Sequence, residues 1–310
     1  MPADPVRPPF LSAADARERA AERALSMEQL ALELLPWAQR YARPQISNFP
    51  VGAIVLGLSG ALYAGANLEF LGESLSLSVH AEQAAVYNAW VHGEAGITLI
   101  ASTAAPCGFC RQFLNELRNA SELRIYVTGR AAATLAELLP AAFGPGDLCV
   151  GNRLMDGSSR RLVVLPPDDD DNPVTAAALA AASAAYAPYS GTYAGVGLRT
   201  ADGTIVEGRY AENAAFNPSL SPMQGAMIML ALAGRFDAVI EEAALVEAAE
   251  PATSPPDQLG AGQRASATAI LSSVAPLVRL HCVRAVLAGE GTATMEGRGG
   301  LDSKDTSALS

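Results

Sequence analysis

The chain has 310 residues, half of them hydrophobic and only 17% charged, a globular composition long enough for about two domains, each with its own core. Its 21 Lys and Arg against 32 Asp and Glu leave a formal net charge of −11, which repels phosphate backbones and excludes nucleic acid as a partner in favour of a small neutral molecule. Of four cysteines, at 107, 110, 149 and 282, the closest pair has metal-type spacing in a chain too large to need disulfide staples, so the expected location is the reducing cytoplasm.

The opening residues are rich in proline and lack the continuous apolar run of a secretory signal; residues 1–24 read as a flexible N-terminal extension. Nothing approaches the ~18 uninterrupted apolar residues of a membrane span, so no membrane association is expected. From Ala13 to about Arg40 the composition favours helix, with Leu25, Leu30, Leu34 and Trp37 near helical spacing. The stretch VGAIVLGLSGALYAGANLEF predicts two strands joined near Ser59-Gly60. HAEQAAVYNAWVHG then predicts a helix ended by Gly93, ITLIAS a buried strand, CGFCRQFLNELRNA a second helix and ELRIYVTG a further strand. Strands alternating with helices predict a layered α/β domain over residues 25–165. The acidic run Asp168 to Asp171, flanked by prolines, marks a solvated linker over 166–173, followed by a second domain over 174–289 and a flexible tail over 290–310.

The second half partly repeats the first. Tyr41-Ala42, Gly52 and GANLE at 65–69 are echoed by Tyr186-Ala187, Gly195 and GRYAE at 208–212, and thirteen residues separate the two glycines in each copy. Counting on from Gly208 as from Gly65 to His80 brings Met223 opposite His80 and Gly225 opposite Glu82, so the second copy lacks a metal set and one metal per chain is expected.

The chemistry lies in His80-Ala81-Glu82 and Pro106-Cys107-Gly108-Phe109-Cys110. An imidazole and two thiolates are three ligands for zinc, and three protein ligands leave a fourth position open for water, the arrangement of a catalytic rather than a structural site. A closed site would need a fourth protein ligand, and Cys149 and Cys282 each stand alone in apolar or mixed surroundings, as buried small hydrophobes do. Both motif segments stand where a predicted helix begins, and the positive end of the helix dipole favours thiolates there. Residues two apart on a regular helix do not share a face, so His80 and Glu82 converge only if His80 lies at or before the first turn. Zinc lowers the pKa of water toward ~7, and Glu82 is placed to take the proton and pass it to substrate and leaving group.

His-x-Glu with Pro-Cys-x-x-Cys is the signature of zinc deaminases. With FPVGAIVL, GANLE, SVHAEQAAVYNAW, PCGFCRQFLNEL, AFGPGDL and YAENAAFNPSLSPMQGA, spread over about residues 25 to 290, the chain resembles cytidine deaminases of the larger, two-domain type. The resemblance implies a three-layer α-β-α fold present twice, an active copy followed by a degenerate one, in a homodimer whose site is completed across the interface. It implies one zinc per chain on His80, Cys107 and Cys110, a proton shuttle by Glu82, and conversion of cytidine and deoxycytidine to uridine and deoxyuridine with release of ammonia, in pyrimidine salvage. It further implies nucleoside binding by Asn67, Glu69 and Ala81, packing of Phe49 on the pyrimidine, and closure of the site across the dimer by Phe216. On a strand, residues two apart point the same way, so Asn67 and Glu69 can reach one sugar, and an amide with a carboxylate can both donate to and accept from a hydroxyl. Nucleic-acid editing by the same chemistry would need a basic groove, the opposite of this charge.

Overall fold

The computed structural model describes residues 9–157, 159–165, 172–249 and 261–288. The chain opens with β1 (Phe10–Leu11) and three short helices, α1 (Ala13–Glu22), α2 (Met27–Glu33) and α3 (Leu35–Gln39). The first repeat continues with β2 (Gly52–Gly57), β3 (Leu62–Ala66), α4 (Ala81–Val91), β4 (Ile97–Ser102), α5 (Gly108–Leu114), β5 (Arg124–Val127), β6 (Ala133–Thr134) and α6 (Leu135–Leu138). The second comprises β7 (Leu162–Leu165), α7 (Pro173–Ser183), β8 (Thr192–Thr200), β9 (Ile205–Arg209), α8 (Pro222–Leu232), β10 (Ile240–Ala249), α9 (Arg264–Val274) and β11 (Leu280–Leu287).

Among the described residues the strands form two sheets, ordered β1-β3-β2-β4-β5-β6 and β7-β11-β10-β8-β9. Each contains the same unit: an antiparallel hairpin, a third antiparallel strand beside its first, and a parallel fourth reached by a crossover through α5 or α9, as parallel neighbours require. The repeat read from the glycines is one of register too. Gly52 faces Ala66 and Ala53 faces Gly65, just as Gly195 faces Arg209 and Val196 faces Gly208. Gly65 and Gly208 are glycines for one reason: a Cβ on Gly65 would lie 2.1 Å from the Ala85 amide nitrogen of α4, and one on Gly208 would lie 2.3 Å from that of Ala226 in α8.

Helices α1 to α3 cover one face of the first sheet, through a core that joins Ala16, Leu30 and Leu35 to Ile54, Leu62 and Leu99. On the other face lies α4, buried from Ala81 to Trp90, as a helix between two layers is, with Glu82, Gln83 and Asn88 its only charged or amide side chains. Its neighbour is α8 of the second repeat, and one continuous core runs from Val55 and Tyr87 through Met227 to Leu245. A smaller core under α7 covers the far face of the second sheet. Each sheet is thus sandwiched between helices, the three-layer α-β-α arrangement expected twice over. The inner helices are tied reciprocally: Gln83 Nε2 donates to the Pro218 carbonyl at 3.0 Å, and Gln224 Nε2 to the Leu77 carbonyl at 2.9 Å.

Several boundaries differ from the sequence reading. Within the supposed flexible extension, β1 pairs with β3, and α1 is capped by the Ser12 hydroxyl and buries Ala16 and Ala20. The single helical segment to Arg40 is broken near Ala24, at φ 51, after which the capping box of Ser26 and Gln29 starts a separate α2, and again at Leu34, which ends α2 and precedes α3. The segment Leu162–Leu165, assigned to the first domain, pairs with β11 in the second sheet, so the change of repeat precedes residue 162. Of the linker, residues 166–171 lie outside the described residues, whereas Asn172 and Pro173 are the cap and first residue of α7. The tail over 290–310 also lies outside them.

Candidate active site

His80 is the N-cap of α4, with extended backbone at φ −91 and ψ 151, and Glu82 is the second residue of the helix. That meets the condition set by the two-residue spacing: His80 turns off the helix while Glu82 stays on its first turn, where the dipole favours a carboxylate. Cys107 is the N-cap of α5, so Cys110 falls on that helix's first turn. Two helix starts therefore face one another. The turn before α5 is braced by Arg111, whose guanidinium donates to the carbonyls of Pro106 at 2.9 Å and Leu138 at 2.8 Å.

The donor atoms of His80, Cys107 and Cys110 all lie within 4.8 Å of one another. Cys107 Sγ is 3.5 Å from His80 Nδ1 and 3.7 Å from Cys110 Sγ. A tetrahedral ion bonded to sulfur at about 2.3 Å and nitrogen at about 2.0–2.1 Å spaces such ligands roughly 3.6 and 3.8 Å apart, so the three residues fit zinc as they stand. Glu82 closes the fourth side: it is 4% exposed, and its Oε2 accepts from the Cys110 thiol at 3.3 Å. Burial pushes the Glu82 carboxyl up, which suits a group that must carry a proton. The hydrogen bonds of Cys110 and His80 draw the Cys107 thiol down to about 3, as a ligand thiolate requires. The ring of Phe109 stacks near His80 with centroids 6.3 Å apart.

Beside this group stands a loop over residues 44–51 held by the two predicted sugar ligands. Asn67 and Glu69 flank Leu68 just beyond β3, and bridges from Leu68 to Arg43 and Val79 keep the backbone extended, so both side chains leave on the same side. Asn67 donates to the Phe49 carbonyl at 3.0 Å and accepts from the Val51 amide at 2.8 Å. Glu69 accepts from the amides of Ile46 at 2.7 Å and Ser47 at 2.8 Å, and from the Ser47 hydroxyl at 2.6 Å. Burial opposes its charge, but the Ser47 hydroxyl and the two amides outweigh it and hold the carboxyl below the usual range. An ionised carboxylate has about four acceptor positions and an amide two donors, so capacity remains for a ligand's hydroxyls. Ser47, missed in the sequence, also accepts from the Phe49 amide at 3.1 Å and so links Glu69 to Phe49. A serine two residues before an aromatic carries no signal of its own; only the fold shows which carboxylate it meets.

Phe49 itself is 61% exposed, a ring presented outward and not packed in a core. Ala81 is buried, with its side chain in the core, so its backbone is what it offers a ligand. Phe216 is 66% exposed at φ 61, a left-handed backbone uncommon outside glycine, on a loop fastened to α4 and α5 of its own chain. The loop's anchors in the first repeat are Gln83 of α4, through Pro218, and Gln112 of α5, through Asn213.

The second repeat keeps the scaffold without the chemistry. The bridges of Leu220 to Ala211 and of Val79 to Leu68 correspond, so Ser221 takes the place of His80 and Met223 that of Glu82, two positions from where simple counting puts them because the preceding loop is shorter. Glu212 keeps the place of Glu69 and accepts from the amides of Tyr189 at 2.8 Å and Ser190 at 3.1 Å. Tyr210 replaces Asn67 and Thr192 replaces Phe49, and Met223 is fully buried. The carboxylate's loop-holding role is therefore separable from catalysis.

Helix starts that converge on a three-ligand metal group and a buried carboxylate, on a layered α/β frame, define a zinc-dependent hydrolase. Two sequence models of the cytidine and deoxycytidylate deaminase zinc-binding region match the chain, over residues 25–126 and 135–257. The cytidine deaminase of Pectobacterium atrosepticum is 46% identical over 223 residues, covering 72% of this chain and 74% of its own. That of Klebsiella pneumoniae subsp. pneumoniae is 45% identical over 252 residues, covering 81% and 84%. A solved cytidine deaminase from Mycobacterium tuberculosis is 33% identical over 37% of this chain and 95% of its own, with a TM-score of 0.34. The chain belongs to the zinc-dependent cytidine deaminase family.

Proposed function

We propose that this chain hydrolyses cytidine and deoxycytidine to uridine and deoxyuridine, releasing ammonia, at a site built from His80, Glu82, Cys107 and Cys110. The observation that carries this reading is the buried Glu82 carboxylate 3.3 Å from a thiol of a three-ligand group spaced for zinc. Zinc, held by His80, Cys107 and Cys110, supplies the Lewis acidity that makes water nucleophilic near neutral pH. Glu82 takes the proton of the attacking water and delivers it to the pyrimidine ring nitrogen, then takes the proton of the newly added hydroxyl as the carbonyl forms and delivers it to the departing amine. Its burial keeps the carboxyl protonatable, and the helix start beneath it supports its ionised form between transfers.

Phe49 offers a flat apolar ring to the pyrimidine, with Asn67 and Glu69 reaching for the sugar from the same loop. Ala81 contributes its backbone, and Phe216 covers the mouth from the second repeat. Ile46, Phe49, Leu71, Leu75 and Phe216 are all exposed, and a homodimer that covers them completes the site on its open side. Among the described residues no helix is long and apolar enough to cross a membrane. A reducing cytoplasm, which keeps both ligand thiols available, and a role in pyrimidine salvage follow from the same reading.

The test compares cytidine, deoxycytidine, cytosine, dCMP and adenosine by change in ultraviolet absorbance, on protein whose mass is measured by light scattering. The two nucleosides are expected to turn over and the others to be poor substrates, with a dimer as the active species. Turnover of dCMP or adenosine in preference to cytidine, or a fully active monomer, would refute the corresponding part.

A further inference from the structure

Glu116, two residues beyond the ligand helix α5, is the one carboxylate at 0% exposure among the described residues, and the chemistry above does not use it. Its Oε1 accepts from the hydroxyls of Tyr186, at 2.7 Å, and Tyr189, and its Oε2 accepts from the Ala214 amide at 3.0 Å. All three donors come from the second repeat. Burial and the Glu116 charge push both phenols well above their ordinary range, so they remain donors at any physiological pH. A buried carboxylate this fully satisfied holds its donors firmly, because removing it takes the charged partner from all three and leaves Tyr186 only the Asn152 carbonyl at 3.1 Å.

What it holds is the loop over 212–220. Beside Ala214, Asn213 Nδ2 donates to the Gln112 carbonyl at 3.0 Å, two residues past Cys110. Further on, the Pro218 carbonyl accepts from Gln83 at 3.0 Å, the residue after Glu82. Between these anchors stands Phe216 in its left-handed conformation, which persists only where the surroundings over-determine it. At the pseudo-symmetric junction, on the side with no metal set, the corresponding loop meets α9 through an exposed hydrogen bond from the Ser273 hydroxyl to the Leu71 carbonyl at 2.9 Å. The buried clamp stands where the loop faces the metal group.

We propose that Glu116 is a positioning residue: it locks the loop 212–220 of the second repeat against α5, fixes Phe216 over the mouth of the site, and thereby sets affinity for the nucleoside and not the rate of its chemistry. The proposal rests on the deaminase reading, and it gives the degenerate repeat a task. In the full-length, zinc-loaded chain, Glu116→Gln is expected to raise KM for cytidine about tenfold, the loss of a hydrogen-bonded buried charge, with kcat and zinc content nearly unchanged. Phe216→Ala should raise KM similarly, and the double variant no further, because both act through one loop. Amide hydrogen exchange over 212–220 should rise in Glu116→Gln, a readout that does not depend on the substrate. Should that variant fail to fold, Tyr189→Phe removes one donor, keeps the ring and serves the same comparison with a smaller rise. Unchanged KM and exchange in folded protein, or multiplicative effects of Glu116→Gln and Phe216→Ala, overturn the clamp. A parent chain that does not deaminate cytidine, yet whose loop loosens in Glu116→Gln, overturns the deaminase reading instead.

Discussion

Glu82→Gln is expected to fold, to keep one zinc per chain and to lose kcat for cytidine by roughly 10²–10⁴, the contribution of a positioned general acid and base. The substitution is isosteric at a site with almost no free space, since Glu82 is 4% exposed on the first turn of α4. The amide has the shape of the carboxylate and supplies none of the three metal ligands, so the metal group is undisturbed, but it cannot take a proton from water and return it. Turnover measured by absorbance, with zinc measured on the same sample, separates loss of chemistry from loss of metal. Parent-like kcat in the Gln variant would remove Glu82 from the mechanism.

Cys110→Ala should have the larger structural effect. Cys110 is 0% exposed and lies against both Cys107 and Glu82, so the change deletes one of three metal ligands and leaves the Glu82 carboxylate beside a small cavity. Zinc content is expected to fall well below one per chain, turnover to fall below detection, and the melting temperature to drop, because metal affinity here is also folding free energy. Cys149→Ala is the control: that cysteine, like Cys282, is exposed where the sequence suggested burial, and it ends a short turn at φ 56, outside the metal group, so its loss should leave zinc and activity unchanged. One zinc per chain retained by Cys110→Ala, or lost by Cys149→Ala, would mean that the ligand set is wrong.

The parts of the fold legible in the sequence were those written in local patterns. The hairpin of β2 and β3, the buried α4 and the crossover from β4 to β5 follow from strand composition, a terminating Gly93 and helix periodicity. His80 and Cys107 as helix caps follow from the demand that histidine, carboxylate and thiolates converge. What escaped depended on partners distant in the chain. The two-residue β1 is a strand only because β3 is there to pair with, and β7 declares its repeat only through β11. The shift of Ser221 and Met223 came from a loop shorter than its counterpart, which glycine spacing alone does not reveal. Glu116 near the end of an amphipathic segment reads as a solvated charge until Tyr186, Tyr189 and Ala214 are brought to it by the packing of one repeat on the other.

Zinc-edge X-ray absorption on the purified chain tests the open three-ligand site most directly. Two sulfur scatterers at about 2.3 Å with two lighter ones at about 2.0–2.1 Å are expected, one of the lighter pair from His80 and the other a displaceable solvent atom. Zinc absent from active protein, or enclosed by three or four sulfurs with no exchangeable ligand, would contradict the account.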